Sequence, residues 1–133
     1  MNPKSTGWLA LAVLIALGGG WLWGASGKST VDRERRALEV RVDFSDARAE
    51  MLDTRVSLFQ QDFGDARRHL DAAQAAVLRV QARFRELQQA ERAGRLEVVL
   101  AHLRDAERLA TALDASAQSA VEQALKGLAA AQQ

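Results

Sequence analysis

Downstream of residue 27, apolar positions recur at alternating steps of three and four. Leu38, Val42, Ala49, Leu52, Val56, Phe59 and Phe63 form the first series, with Ser45 in the gap between Val42 and Ala49. Such spacing brings all of them to one side of an α-helix. Ala66, Leu70, Ala73, Val77, Val80, Phe84 and Leu87 make a second stripe. A third runs through Val99, Leu103, Ala106, Ala110, Leu113, Ala117, Ala120, Ala124 and Leu128 without a change of phase. The first two carry Leu, Val and Phe, and are expected to interlock as a core. Three helices follow, over about residues 29–62, 65–92 and 95–131.

Cap and breaker residues set these bounds. Ser29 reads as an N-cap with Asp32 three residues on. Asp62-Phe63-Gly64-Asp65 reads as a helix turn, with Gly64 closing one helix at positive φ and Asp65 capping the next. Gly94 is the expected break between the second and third helices. Asp114-Ala115-Ser116 offers a further break, since Asp and Ser cap helices readily, although the stripe passes through it in phase. Short connections make successive helices antiparallel neighbours, which predicts an elongated hairpin or a three-helix bundle.

Asp62, Phe63, Ala66, Leu70 and Ala73 resemble the Gly-Asp-Tyr, Ala, aromatic and Ala positions of the tetratricopeptide repeat. The resemblance covers about a dozen residues, and no 34-residue period recurs. It implies a helical hairpin and, as one functional alternative, an adaptor that recruits soluble proteins in a groove. The third stripe is nearly all alanine after Leu113, and an alanine face buries little area per residue. Ala117, Ala120, Ala124 and Leu128 are therefore expected to lie against a partner.

The first 27 residues follow a different pattern. Residues 7–26 contain no charge and as a helix would reach ~30 Å, about one hydrocarbon core. Trp8 opens the run, and Trp21 and Trp23 close it, as interfacial anchors do. Ala12, Ala16, Gly20 and Gly24 recur every fourth residue, forming a small-residue packing face for another membrane helix. The fold class expected is thus all-α, with one N-terminal transmembrane helix (residues 1–27, retained rather than cleaved) and an extramembrane helical domain (residues 28–133). Lys4 precedes the span, whereas Lys28, Arg33, Arg35, Arg36 and Arg41 follow it. Counting Lys and Arg favours a cytoplasmic C-terminal domain, with a periplasmic one as the alternative.

Composition removes several function classes. The chain has 133 residues, a formal charge of +1 and no cysteine. That excludes disulfides, thiolate chemistry and cysteine metal sites, and gives no basic footprint for nucleic acid. Gly27-Lys28-Ser29-Thr30 resembles the tail of a phosphate loop, but that loop needs a glycine at the position of Leu22. Asp62-Phe63-Gly64 spells a kinase tripeptide without the accompanying kinase elements. His69 and His102 lie on separate helices beside core rows, with no ligand spacing around them. The carboxylates and arginines between residues 83 and 108 read as surface pairs. No catalytic residue, metal ligand, cofactor or small-molecule substrate is expected.

The function expected is that of a non-catalytic, single-pass accessory or scaffold subunit in a bacterial inner membrane. It would pack against a larger membrane complex or against another copy of itself. Alternatives are the tetratricopeptide-like adaptor and a self-associating, membrane-proximal coiled coil.

Overall fold

The computed structural model describes the backbone from residue 3 and the side chains from Thr30 onward. Four helices account for nearly all of it: α1 (Pro3–Phe59), α2 (Phe63–Glu86), α3 (Ala90–Thr111) and α4 (Ala117–Gln132). There is no strand among the described residues. The chain divides into two compact units, Met1–Leu38 and Glu39–Gln133. Side chains of the expected span, including Trp8, Trp21, Trp23 and the row Ala12, Ala16, Gly20 and Gly24, lie outside the described residues. Among the described residues, no helix is long and apolar enough to cross a membrane. Ser29 does not begin a separate helix, because α1 extends across it.

The second unit is a bundle of four helices, one more than the stripes alone predict. α1 meets α2 through Phe44 and Phe84, whose ring centroids are 5.8 Å apart and tilted at 53°, a favourable aromatic geometry. α2 meets α3 where Gln81 donates to the Ala93 carbonyl at 3.1 Å and the Arg92 guanidinium lies 4.4 Å from the Phe84 ring centre. α3 and α4 approach closely: a Cβ on Gly127 would stand 3.0 Å from Val99 Cγ2. Arg55 of α1 reaches Glu122 of α4 at 3.5 Å. Each helix of this unit thus touches its neighbours around a common core.

All three turns use one device, and none uses glycine. Gln61, Gln88 and Leu113 have φ of 61°, 58° and 57°, the left-handed region that glycine normally supplies. At each turn, the next N–H reaches back five residues, from Asp62 to Ser57 (2.9 Å), Gln89 to Phe84 (2.8 Å) and Asp114 to Leu109 (2.9 Å). The left-handed residue itself bonds three back, at 3.0–3.1 Å. This is the Schellman closure, which satisfies the last free carbonyls of a helix.

Three sequence expectations are corrected here. Gly64 lies inside the first turn of α2, and Asp62 rather than Asp65 is the cap, accepting from the Asp65 N–H at 2.9 Å. Gly94 lies inside α3, and the break precedes it at residues 87–89. The third stripe is divided at Leu113, so that α3 and α4 fold against each other. Ala117, Ala120, Ala124 and Leu128 consequently face the chain's own core, with Ala120 the most accessible at 8%. The small side chains of α4 serve close packing inside the bundle, and α3 is the surface they needed.

The largest correction concerns α1. Its buried side is formed by Phe44, Ala47, Met51, Thr54 and Leu58, with Val40 partly buried beside them. The stripe that looked like its core face points outward: Val42, Leu52, Val56 and Phe59 are 57%, 41%, 54% and 80% exposed. α1 is apolar on two sides, and the bundle covers only one of them.

Candidate functional site

Two polar clusters and one apolar face distinguish the surface of the bundle. The first cluster joins the start of α2 to α1. Ser57 donates to Asp65 Oδ2 at 3.0 Å. His69 Nε2 lies 3.4 Å from that same oxygen, and His69 Nδ1 donates to Glu50 Oε2 at 2.7 Å. Arg68 also pairs with Asp65. The bond from Ser57, aided by Arg68 and His69, holds the Asp65 carboxyl below its ordinary range. The bond to Glu50 raises the His69 pKa against partial burial, and the charges of Asp65, Glu50 and Asp53 add to it.

Serine, aspartate and histidine therefore meet, but in the wrong order for nucleophilic catalysis. A serine nucleophile must give its proton to histidine, with the acid behind the ring. Here the Ser57 hydroxyl donates its hydrogen bond to the Asp65 carboxylate instead, and Ser57 is itself buried. Glu50, Asp53 and His69 also bring ligand atoms within 4.8 Å of one another. Both imidazole nitrogens already face carboxylates, so the arrangement is that of a charged helix clamp. Sequence spacing gave no sign of this cluster, because Glu50 and His69 belong to different helices. His102 takes no part in it, lying half-buried on α3.

The second cluster surrounds Asp43, buried near the top of the α1–α2 contact. Arg83 Nε donates to Asp43 Oδ2 at 2.6 Å and its Nη1 to Glu39 Oε2 at 2.6 Å. Arg79 Nε donates to the other Asp43 oxygen at 3.0 Å. The Asp43 bond, reinforced by Glu39, raises the Arg83 pKa further above its already high value. A buried carboxylate with charge-assisted bonds to both oxygens is a satisfied structural group. It ties the Asp43 side of α1 to α2.

The apolar face is what remains. Leu52, Val56 and Phe59, with Arg55 and Gln118, border a shallow groove where α4 begins. A second depression, between α1 and α4, is lined by Phe44, Arg48, Leu52, Arg55, Leu125 and Leu128 among others. Both hollows open beside the uncovered side of α1. Of the residues expected at the helix turn, Asp62 is the N-cap of α2, and Phe63, Gly64 and Asp65 lie in its first turn, with Phe63 partly buried against the core. No family model, curated protein or solved structure matches the chain.

Proposed function

We propose that this chain is a non-catalytic, single-pass membrane accessory or scaffold protein. Residues 7–26 would anchor it in a bilayer, with the bacterial inner membrane as the expected site and the cytoplasm as the side of the bundle. The bundle would then order its neighbours through the outward side of α1. Packing of the anchor through Ala12, Ala16, Gly20 and Gly24 would add a second contact within the membrane. The mechanism is positional, through burial of helix surface and without turnover.

One observation carries the reading: Val42, Leu52, Val56 and Phe59 lie in a row on a helix whose opposite side already fills a core. A row of exposed large apolar groups on one helix side, closest together at Leu52, Val56 and Phe59, favours coverage by another surface. The polar clusters support a structural role, since their donors and acceptors are engaged with one another. The test is purification of the tagged chain in mild detergent, followed by identification of the proteins that accompany it. Val42→Ser with Leu52→Ser and Val56→Ser should remove those companions while leaving helix content intact. An unchanged set of companions would count against a binding role for this face.

A further inference from the structure

We propose that the outward side of α1 binds a second copy of this chain, as a parallel, in-register two-helix seam. The inference rests on the scaffold reading and names the occupant of its face. Within residues 42–59 the outward row follows the heptad spacing of a coiled coil. Val42, Ala49 and Val56 take the a positions, and Ser45, Leu52 and Phe59 take the d positions. The same register extends upstream in sequence to Leu38 and Val31 at d, both exposed. The buried residues Phe44, Ala47, Met51, Thr54 and Leu58 fall at c and f, on the side away from the seam. A partner helix laid along a and d therefore lies away from the c and f core contacts, with only Leu52 of the row also bordering α4.

The flanks identify the partner. Next to each d residue, the e positions are Glu39, Asp46 and Asp53; before each a residue, the g positions are Arg41, Arg48 and Arg55. One row is acidic and the other basic. In a parallel homodimer each g residue faces the e residue of the following heptad on the other helix. Arg41 then meets Asp46 of the second copy, and Arg48 meets its Asp53, on both sides of the two-fold axis. In an antiparallel pair, g faces g and e faces e, which sets arginine against arginine and acid against acid. The charge pattern is thus complementary to itself in one orientation only, as an isologous interface requires. β-branched Val42 and Val56 at a, with Leu52 at d, are the choices that favour two strands.

Some of these charges have partners within the bundle. Arg79 lies 3.8 Å from Asp46, and Arg55 pairs with Glu122 at 3.5 Å. Both are exposed pairs of the kind that contribute little and rearrange easily. They leave the ordering of the two rows unchanged. Arg35 falls at an a position and Glu34 at g, so the regular pattern belongs to the segment from Leu38 to Phe59.

The test uses the full chain in mild detergent or nanodiscs. Light scattering corrected for detergent should give the mass of two chains, and oxidation of a Phe59→Cys chain should give a cross-linked dimer. Val42→Cys should cross-link to itself as well, because in-register positions come within disulfide reach. A mixture of the two variants should give no 42-to-59 product. Asp71→Cys, exposed on α2, supplies the background of random collision. Arg41→Glu with Arg48→Glu should weaken self-association about tenfold or more at low salt. So should Asp46→Arg with Asp53→Arg, and mixing these two charge-reversed chains should restore pairing as a heterodimer.

A one-chain mass, a 42-to-59 cross-link, or failure of the mixed chains to pair would each overturn the proposal. The scaffold reading would survive any of these results if companions still depend on Val42, Leu52 and Val56. Far-ultraviolet circular dichroism on every variant separates lost pairing from lost folding.

Discussion

At the scale of single residues, the three turns are held in a conformation that their side chains disfavour. A residue with a Cβ costs ~1–2 kcal/mol in the left-handed region, and glycine avoids most of that cost. Leu113 shows the conflict most clearly, since it combines φ of 57° with a side chain 69% exposed. Leu113→Gly is expected to raise unfolding free energy by ~1 kcal/mol, and Gln88→Gly by a similar amount. Denaturant titration would show it as a higher midpoint; a lower one would mean the side chain contributes more than its backbone costs. These residues also explain why the turns were only partly legible in the sequence. Glycine chemistry points to breaks at Gly64 and Gly94, yet the chain turns at Gln61 and Gln88, whose side chains carry no such signal. Leu113 was misleading in the same way, because it sits in phase with the third stripe while lying outside the core.

His69 gives a second prediction at this scale, with a definite sign. Its folded pKa is raised above 6.5 by the bond to Glu50. The protonated ring therefore favours the folded state, and that contribution is complete below the unfolded pKa. It is lost as pH rises through the folded value. The stability gap between the natural chain and His69→Gln should be larger near pH ~6 than near pH ~9. Thermal melts of both chains across that range would show it. A gap that is flat, or that widens with pH, would contradict the clamp described for Glu50, Asp65 and His69.

At the scale of the helix, α1 is the instructive element. Periodicity alone points to Leu38, Val42, Ala49, Leu52, Val56, Phe59 and Phe63; the last belongs to α2, and the other six lie on the outward side of α1. Periodicity passes over Phe44, Ala47, Met51 and Leu58, equally regular but containing Thr54 and flanked by Asp43 and Ser57. Those polar groups all have partners: Asp43 with two arginines and Ser57 with Asp65, all on α2, and Thr54 with the Glu50 carbonyl of α1 itself at 2.8 Å. With Asp43 and Ser57 satisfied from α2 and Thr54 from α1's own backbone, that side no longer resists burial. Two stripes compete on one helix, and the choice depends on residues far away in sequence, such as Arg79 and Arg83. On α2 the periodic row coincides with the buried Ala66, Leu70, Ala73, Val77, Val80 and Phe84, whereas the third stripe leaves out the buried Ala93, Leu96 and Leu100 and takes in the exposed Leu113. Measured on dilute monomer, Met51→Ala should cost ~2–5 kcal/mol, as deletion from a core does. Val56→Ala should change fold stability by less than ~0.5–1 kcal/mol. Equal costs would mean that both sides of α1 are buried in the monomer.

At the scale of the whole molecule, the two sides of α1 separate folding from association. The c and f row supplies the core of one chain, and the a and d row is left for a second. Ser45 and Ala49 make the middle of that outer row its weakest part, since neither fills the space between two helices well. An exposed d-position serine gains nothing from enlargement if it faces only water; across a parallel seam, leucine there would meet its own copy and add a full apolar layer. Burying a Leu side chain contributes ~1.5–3 kcal/mol, and a symmetric dimer buries two. Ser45→Leu is therefore expected to tighten self-association by about tenfold or more, while leaving the melting temperature of dilute monomer nearly unchanged. Sedimentation equilibrium over a range of chain concentrations would read the first effect, and calorimetry at low concentration the second. A tighter dimer with an unchanged monomer is the result that distinguishes a seam between chains from an apolar row facing only solvent.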